Sequence, residues 1–330
     1  MLASWRMIRR LVVVSLVAFS SACATTQPEN AERDLVAQGN QYARDGLLRE
    51  AADAYRKALA KQPDNMTASR NLGMVLVKTG DYRVATQHLE KALTKFENDF
   101  DTNFYLAEAL RSQDQYAKAI FHYQSALKIR ENDAKASKAL AWSFYKIRFY
   151  SEALSLARRV SNQRPDDEQA AIILARTQLR LKRTGEALAT LRRVSEKASR
   201  QSLPYFRSVE GDIHYESGDR TRAEESYRAA LKDQPLLASA LLGLGKIMLD
   251  QGKPAGAIPW LERAVRVRPQ LTEAHLMLGR AFETTDVRKA IRHYQTFRKQ
   301  AATDPEFVDE LASVRQKLGT LRNTGNSTSR

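Results

Sequence analysis

The residues of this chain that could do chemistry are few and scattered. Five histidines (His88, His122, His214, His275 and His293) accompany a single cysteine, Cys23. His88, His122 and His293 recur at one position of a repeating unit, a placement that invites a metal reading. Zinc, however, needs several His or Cys ligands together. No cysteine or close histidine accompanies any of the three, so they read as solvated or half-packed imidazoles. The adjacent carboxylates Asp166 and Asp167 fall between units, where negative charge suits a helix N-terminus. G-x-S-x-G, H-E-x-x-H and phosphate-loop motifs are absent. Catalytic residues, metal and cofactors are therefore not expected, and the chain reads as a non-enzyme.

Cys23 has a different context. Arg6, Arg9 and Arg10 precede the apolar run Leu11 to Phe19, and the small residues Ser20, Ser21 and Ala22 follow. That is the layout of a secretory signal peptide over residues 1–23. Its apolar core is shorter than the roughly 20 residues a membrane span needs. With one cysteine there is no disulfide framework. The stretch resembles a bacterial lipoprotein box, with Ser20 where Leu usually stands. The resemblance implies acylation of Cys23. Ala24, which is not Asp, implies the outer membrane, facing the periplasm. The alternatives are cleavage beside Ala22 or Ala24, giving a soluble periplasmic protein, and an uncleaved anchor. Residues 24–31 read as a polar tether.

The elements that position everything else come from a 34-residue period. Gly39 to Gly73, Gly211 to Gly245 and Gly245 to Gly279 are each 34 residues apart. With units starting at 32, 66, 100, 134, 168, 204, 238 and 272, position 8 is always Gly or Ala, from Gly39 to Gly279. The equivalent of position 20 is always Ala, from Ala51 to Ala290. Small residues at two fixed points let two helices cross closely. Gly46, Gly80, Gly218 and Gly252 mark the turns inside units. Pro63, Pro165, Pro235 and Pro269 close the second helices. The pattern over residues 32–303 resembles the tetratricopeptide repeat, and a fixed period of this length marks a solenoid. The resemblance implies an all-α, right-handed α-solenoid of about eight helix–turn–helix repeats. A capping helix over 304–321 carries Phe307, Leu311, Val314 and Leu318, and residues 322–330 read as a disordered tail.

Departures from the pattern gather in the middle. Asp114, Arg148 and Lys182 replace the turn glycine, and Val160, Val194 and Phe297 replace a small residue. Ser202 and Leu203 are two extra residues after unit five, so 197–203 is either a hinge or a longer turn with unchanged stacking. Of the net charge of +15, residues 134–201 carry +9, while 32–133 are neutral. In proteins this chain resembles, positions 2, 5, 9 and 12 of the first helices face a concave groove. Those positions and their neighbours hold Phe104, Arg111, Lys135, Lys138, Trp142, Tyr145, Lys146, Arg176, Arg180, Tyr205 and Tyr215. Lys138, Lys146, Arg176 and Arg180 are expected to converge where units four and five meet. Aromatic and basic side chains together suit a protein or peptide partner with acidic segments; inter-repeat packing is the competing role for Trp142 and Tyr145. The resemblance's carboxylate clamp is not kept: Asn40 and Asn71 match it, but Val36, Asp101 and Tyr105 stand where Lys or Arg is needed.

The expected function is an exported scaffold or adaptor that binds envelope proteins, assisting assembly of a pilus, secretin or secretion machine. The resemblance also allows an adaptor for peptidoglycan-remodelling enzymes. A binder of anionic envelope glycan is a third reading. An export signal argues against nucleic acid as partner. The sequence does not set an oligomeric state.

Overall fold

The computed structural model describes residues 28–302 and 304–327, and among them there are seventeen α-helices and no strand. They run as helix pairs. Unit one is α1 (Pro28–Arg44) and α2 (Leu48–Lys61); unit two is α3 (Met66–Thr79) and α4 (Tyr82–Phe96). Unit three is α5 (Phe100–Ser112) and α6 (Tyr116–Ile129); unit four is α7 (Ala134–Lys146) and α8 (Tyr150–Gln163). Then come α9 (Glu168–Arg180) with α10 (Thr184–Ser195), and α11 (Leu203–Glu216) with α12 (Arg220–Asp233). The last pairs are α13 (Ala238–Asp250) with α14 (Pro254–Val267), and α15 (Thr272–Phe282) with α16 (Val287–Gln300). A 3-10 turn (Pro305–Phe307) leads into α17 (Val308–Ser327). No described helix is long and apolar enough to cross a membrane.

Each unit closes on a small residue that faces a large one. A Cβ added at Gly39 would lie 2.5 Å from the Tyr55 ring, and one at Gly73 2.5 Å from Leu89. Gly211 against Tyr227 and Gly279 against Tyr294 repeat the arrangement. All eight alanines of the second small position, from Ala51 to Ala290, are fully buried. Consecutive helices pack along the whole chain. In addition the first helices of neighbouring units touch one another, whereas no second helix touches the next second helix. The first helices thus form an inner layer and the second helices a splayed outer one. That geometry makes an α-solenoid with a concave face built from α3, α5, α7, α9, α11, α13 and α15.

Asn65, Asp99, Asp133 and Asp167 start α3, α5, α7 and α9, their side chains accepting the backbone N–H three residues on at 2.8–2.9 Å. This is the ordinary N-cap, satisfying a donor the helix cannot. Seven of the eight intra-unit turns hold one left-handed residue. Gly46, Gly80, Gly218 and Gly252 have φ of +69° to +89°, and Asp114, Arg148 and Lys182 take the same conformation at +58°, +68° and +60°. An L side chain there costs about 1–2 kcal/mol, part of which is recovered through a less flexible unfolded chain. Lys182→Gly and Asp114→Gly should each raise stability by about 0.5 kcal/mol, and Gly80→Ala should lower it by about 1 kcal/mol. Urea midpoints on purified variants check the signs.

The interior is less apolar in the middle units. Ser137, Ser143, Ser161, Thr177, Gln178, Thr190 and Ser208 are buried there. They are hydrogen-bonded, for example Thr190 Oγ1 to Gln178 Oε1 at 2.9 Å and Arg193 to Ser161 Oγ at 2.7 Å. Of the two extra residues Ser202 ends the loop 196–202 and Leu203 begins α11; the loop's Ser199 and Ser202 donate to the carboxylate of Glu168 at the start of α9. These hydrogen bonds hold the Glu168 carboxyl below the usual range. Phe206, Val209 and Ile213 still pack on Leu191 and Val194, so the apolar contact between units five and six continues across the loop.

Two boundaries differ from the sequence reading. Helix α1 starts at Pro28, so 28–31 are its first turn and not tether; proline's fixed φ suits a first helical position. Helix α17 continues to Ser327, so 322–327 are helical where a disordered tail was expected. Extending a helix already packed for three turns avoids the nucleation cost that a free polar peptide faces. Its buried Leu311, Val314 and Leu318 cover Tyr294 and Phe297 of unit eight, with Phe307 edge-on to Phe297 at 5.4 Å. Deleting 305–330 should therefore fray unit eight while units one to three keep their amide protection, because repeat stability is a sum over neighbours. Hydrogen exchange on the truncated chain measures this; full protection of α16 would contradict capping by α17.

Candidate functional site

A concave cavity of about 580 Å³ lies across the inner face from α7 to α15. Its walls are unit positions 9, 12 and 13 of α7, α9 and α11, that is Trp142, Tyr145 and Lys146, then Arg176, Leu179 and Arg180, then Asp212, Tyr215 and Glu216. Ser239, Leu242 and Lys246 of α13 and Glu273 of α15 complete the far wall. Residues 3.6 per turn apart put these positions on one stripe. Asp304, which caps the 3-10 turn, and Glu306 within it are brought over the groove from the C-terminal end. Arg180 pairs with Glu306 across 126 residues of sequence.

The expected residues divide into two groups. Trp142, Tyr145, Lys146, Arg176, Arg180 and Tyr215 line the cavity. Trp142 and Tyr145 stack on each other at 5.2 Å and 16°, and Trp142 also packs on Ala157 and Ile173. Three further lining residues have partners. Lys146 lies 5.5 Å from the Tyr116 ring, and Arg180 donates to the Tyr150 hydroxyl at 3.1 Å. Tyr215 donates to Asp250 at 2.8 Å with Lys246 over its ring at 4.6 Å. Phe104, Arg111, Lys135, Lys138 and Tyr205 are not on that lining. Phe104 stacks on Phe100 at 5.7 Å inside the inter-unit packing, and Arg111 is engaged by Glu108 at 2.6 Å and Tyr123 at 3.1 Å. Lys138 is paired with the N-cap carboxylate of Asp167 at 2.8 Å, Lys135 is exposed, and Tyr205 accepts from Gln234. Three of the four converging cations thus face the cavity, and Lys138 is spent on a neighbour's helix cap. Cys23 lies outside the described residues.

The cavity is not uniformly basic. Its acidic half comes from units six to eight and the cap: Asp212, Glu216, Glu273, Asp304 and Glu306. Lys182 pairs with Glu216 at 3.2 Å and Lys246 with Glu273 at 2.8 Å. Burial works against the Lys246 ammonium, but the Glu273 charge and hydrogen bond hold it above its ordinary range. Sequence reasoning missed a further recurring device. Tyr55, Tyr123 and Tyr227, on second helices, pass between first helices and donate their hydroxyls to the position-9 residues Asn40 (2.7 Å), Glu108 and Asp212 (2.8 Å). Tyr227 fits only because Gly211 and Gly243 lack Cβ atoms, which would lie 2.6 and 2.3 Å from its ring. Desolvation in the cavity raises the Asp212 carboxyl above the usual carboxylate range, against the pull of Arg176 and the Tyr227 hydroxyl. The 16-residue offset from the small residue to the tyrosine was the available signal.

The three recurring histidines are inter-helix fasteners. His88 Nδ1 meets Ser69 Oγ at 3.1 Å, His122 Nδ1 meets Asn103 Oδ1 at 3.1 Å, and His293 Nδ1 meets His275 Nδ1 at 3.0 Å. No group of three metal-ligating side chains occurs among the described residues. His275 Nε2 bonds the Pro269 carbonyl at 3.1 Å, which makes it the protonated nitrogen and leaves Nδ1 to accept from His293. A second proton on His275 goes to Nδ1 and removes the acceptor of that bond, whereas one on His293 keeps the bond but buries a charge beside its neighbour. Burial, then the charges of His275, Arg292 and Lys289, lower His293 to about 4, and burial lowers His275. Folded values below the unfolded value of about 6.5 mean stability present above that pH and lost as pH falls toward 4. Wild-type stability should drop between pH 7 and pH 4.5 by on the order of 1 kcal/mol from this pair, less than full linkage because His293 is partly exposed. His293→Gln should flatten that slope in urea titrations at the two pH values.

An array of paired helices with an inner cavity and an outer splayed layer defines a helical-repeat binding protein. The tetratricopeptide repeat models match residues 36–82, 76–143 and 209–272, and a model of anaphase-promoting complex, cyclosome, subunit 3 matches 112–194. The chain is a tetratricopeptide repeat protein. Among solved structures it is similar to a tetratricopeptide repeat protein from Parabacteroides merdae, with TM-score 0.66, 15% identity, and coverage of 77% of this chain and 99% of that one. It is similar to Pseudomonas aeruginosa pilF at TM-score 0.50 and 15% identity, over 64% and 96%. The hetero-tetramer Cut9–Hcn1 of the APC/C is matched at TM-score 0.56 and 13% identity, over 81% of this chain and 52% of that one. At these identities the likeness concerns the fold alone.

Proposed function

We propose that this protein is an exported, non-enzymatic adaptor of the bacterial envelope that holds partner proteins in its concave cavity. The observation that carries the reading is the cavity itself: stacked aromatic rings beside charged groups of both signs, presented on rigid helices. Aromatic and Arg anchors in a concave site are the usual carriers of protein-binding energy. The N-terminal stretch supports export, and Cys23 supplies a lipid attachment point on the outer membrane, with a soluble periplasmic form as the alternative. Assembly of a pilus, secretin or secretion machine is the task such an adaptor serves, and recruitment of peptidoglycan-remodelling enzymes is its counterpart at the cell wall. The second reading, an anionic glycan binder, is favoured by the +9 charge of residues 134–201.

Cys23→Ser should move the protein from the membrane to the soluble periplasmic fraction with its helicity unchanged. A variant that still pellets and resists salt washing would remove the lipid anchor. Affinity capture from solubilised envelope separates the two readings: discrete proteins of defined stoichiometry are expected, whereas murein sacculi alone would favour the glycan.

A further inference from the structure

Among the cations of the cavity, Arg176 stands out by what it lacks. Its Nε is buried and makes no hydrogen bond, and no carboxylate of the described residues lies within ion-pair distance of its guanidinium. Its neighbours are otherwise engaged: Arg180 by Glu306, Lys182 by Glu216, Lys246 by Glu273. Lys146 is exposed, so water serves it. A buried donor without a partner costs about 1–3 kcal/mol, and a planar guanidinium fork matches the paired oxygens of an anionic group such as a carboxylate. Resting on the reading that the concave cavity is the partner-binding surface, we propose that Arg176 is its anion-binding centre. Its ligand is an acidic side chain of an extended partner segment.

The choice of an acidic side chain follows from the chain's own behaviour. Asp304 and Glu306, in a short turn 126 residues from Arg180 at its Glu306 end, already reach the cavity wall, and Glu306 sits on Arg180. The groove therefore accommodates one acidic segment, and Arg176, one helical turn from Arg180 on α9, is the place for a carboxylate from outside. Leu179, Leu242 and the Trp142–Tyr145 stack line the same cavity and offer apolar contact for the segment's stems. Its volume of about 580 Å³ falls within the range of specific ligand sites. Asp212, the nearest competing acid, is occupied by the Tyr227 hydroxyl at 2.8 Å, and its raised carboxyl weakens repulsion toward an incoming anion.

The test titrates the full chain calorimetrically with acetylated, amidated tetraglutamate, with the matching tetraglutamine, with tetraglutamine bearing a free C-terminus, and with a heparin fragment. Tetraglutamate should bind and the amidated tetraglutamine should not. Arg176→Gln should weaken tetraglutamate at least tenfold, Arg176→Lys less, and Lys135→Gln not at all. The Glu-to-Gln exchange in the peptide tests the claim on the wild-type protein even if Arg176→Gln does not fold. Equal affinity of wild type and Arg176→Gln, or no binding of tetraglutamate, overturns the proposal. Binding only of the free C-terminus or only of heparin assigns the site to a terminal carboxylate or a glycan and overturns it too. If Arg176→Gln binds tetraglutamate normally while envelope proteins are still captured, the subsite fails and the adaptor stands. If tetraglutamate depends on Arg176 but no protein is captured, the adaptor reading fails and the subsite stands.

Discussion

The contact on which this structure depends is a small residue on one helix facing a large one on its mate. Gly39 under Tyr55, Gly73 under Leu89, Gly211 under Tyr227 and Gly245 under Leu261 set the distance between the two helices of a unit. With the first helices close together and the second helices held on their backs, the array must curve toward the first helices. The concave face is therefore a consequence of side-chain volume, repeated every 34 residues. A methyl group at one of these points would sit about 2.5 Å from a ring or branched carbon, far inside van der Waals contact.

The same contact links core to site. Tyr227 is a core residue by its ring, packed between Gly211 and Gly243, and a site residue by its hydroxyl, bonded to Asp212 in the cavity. Tyr55 and Tyr123 do likewise toward Asn40 and Glu108. Amphipathic rings serve this purpose because their bodies are apolar and their tips need a partner when buried. Where unit four has Ala157 in the tyrosine's place, Trp142 of the facing helix packs against it and turns an aromatic surface to the groove. The middle of the array is thus both the least regular part of the sequence and the part that shapes the cavity.

Charge is organised by pairing more than by accumulation. The excess of positive charge in units four and five meets acids supplied by units six to eight and by the C-terminal turn. Lys138 serves a helix cap, Arg180 and Lys182 bind distant carboxylates, and Arg176 keeps a buried Nε without a hydrogen-bond partner. Partly exposed pairs such as Lys182–Glu216 contribute little to stability. Their effect is to remove charge from competition for a ligand.

By itself the sequence determined the helix pairs, their number and order, the turn positions and the stripe that faces inward. All of these are local or strictly periodic, and a period survives being read one unit at a time. Positions 2, 5, 9 and 12 of a first helix share a stripe by geometry, and the family resemblance turned that stripe inward; of the residues so marked, Trp142, Tyr145, Lys146, Arg176, Arg180 and Tyr215 line the cavity. Tertiary structure alone decided that Phe104 and Arg111 belong to packing, that Lys138 is claimed by Asp167, and that the histidines fasten helices. It alone carried Glu306 to Arg180. The curvature that closes 126 residues into one contact is the sum of small rotations between units, and no single unit's sequence encodes that sum.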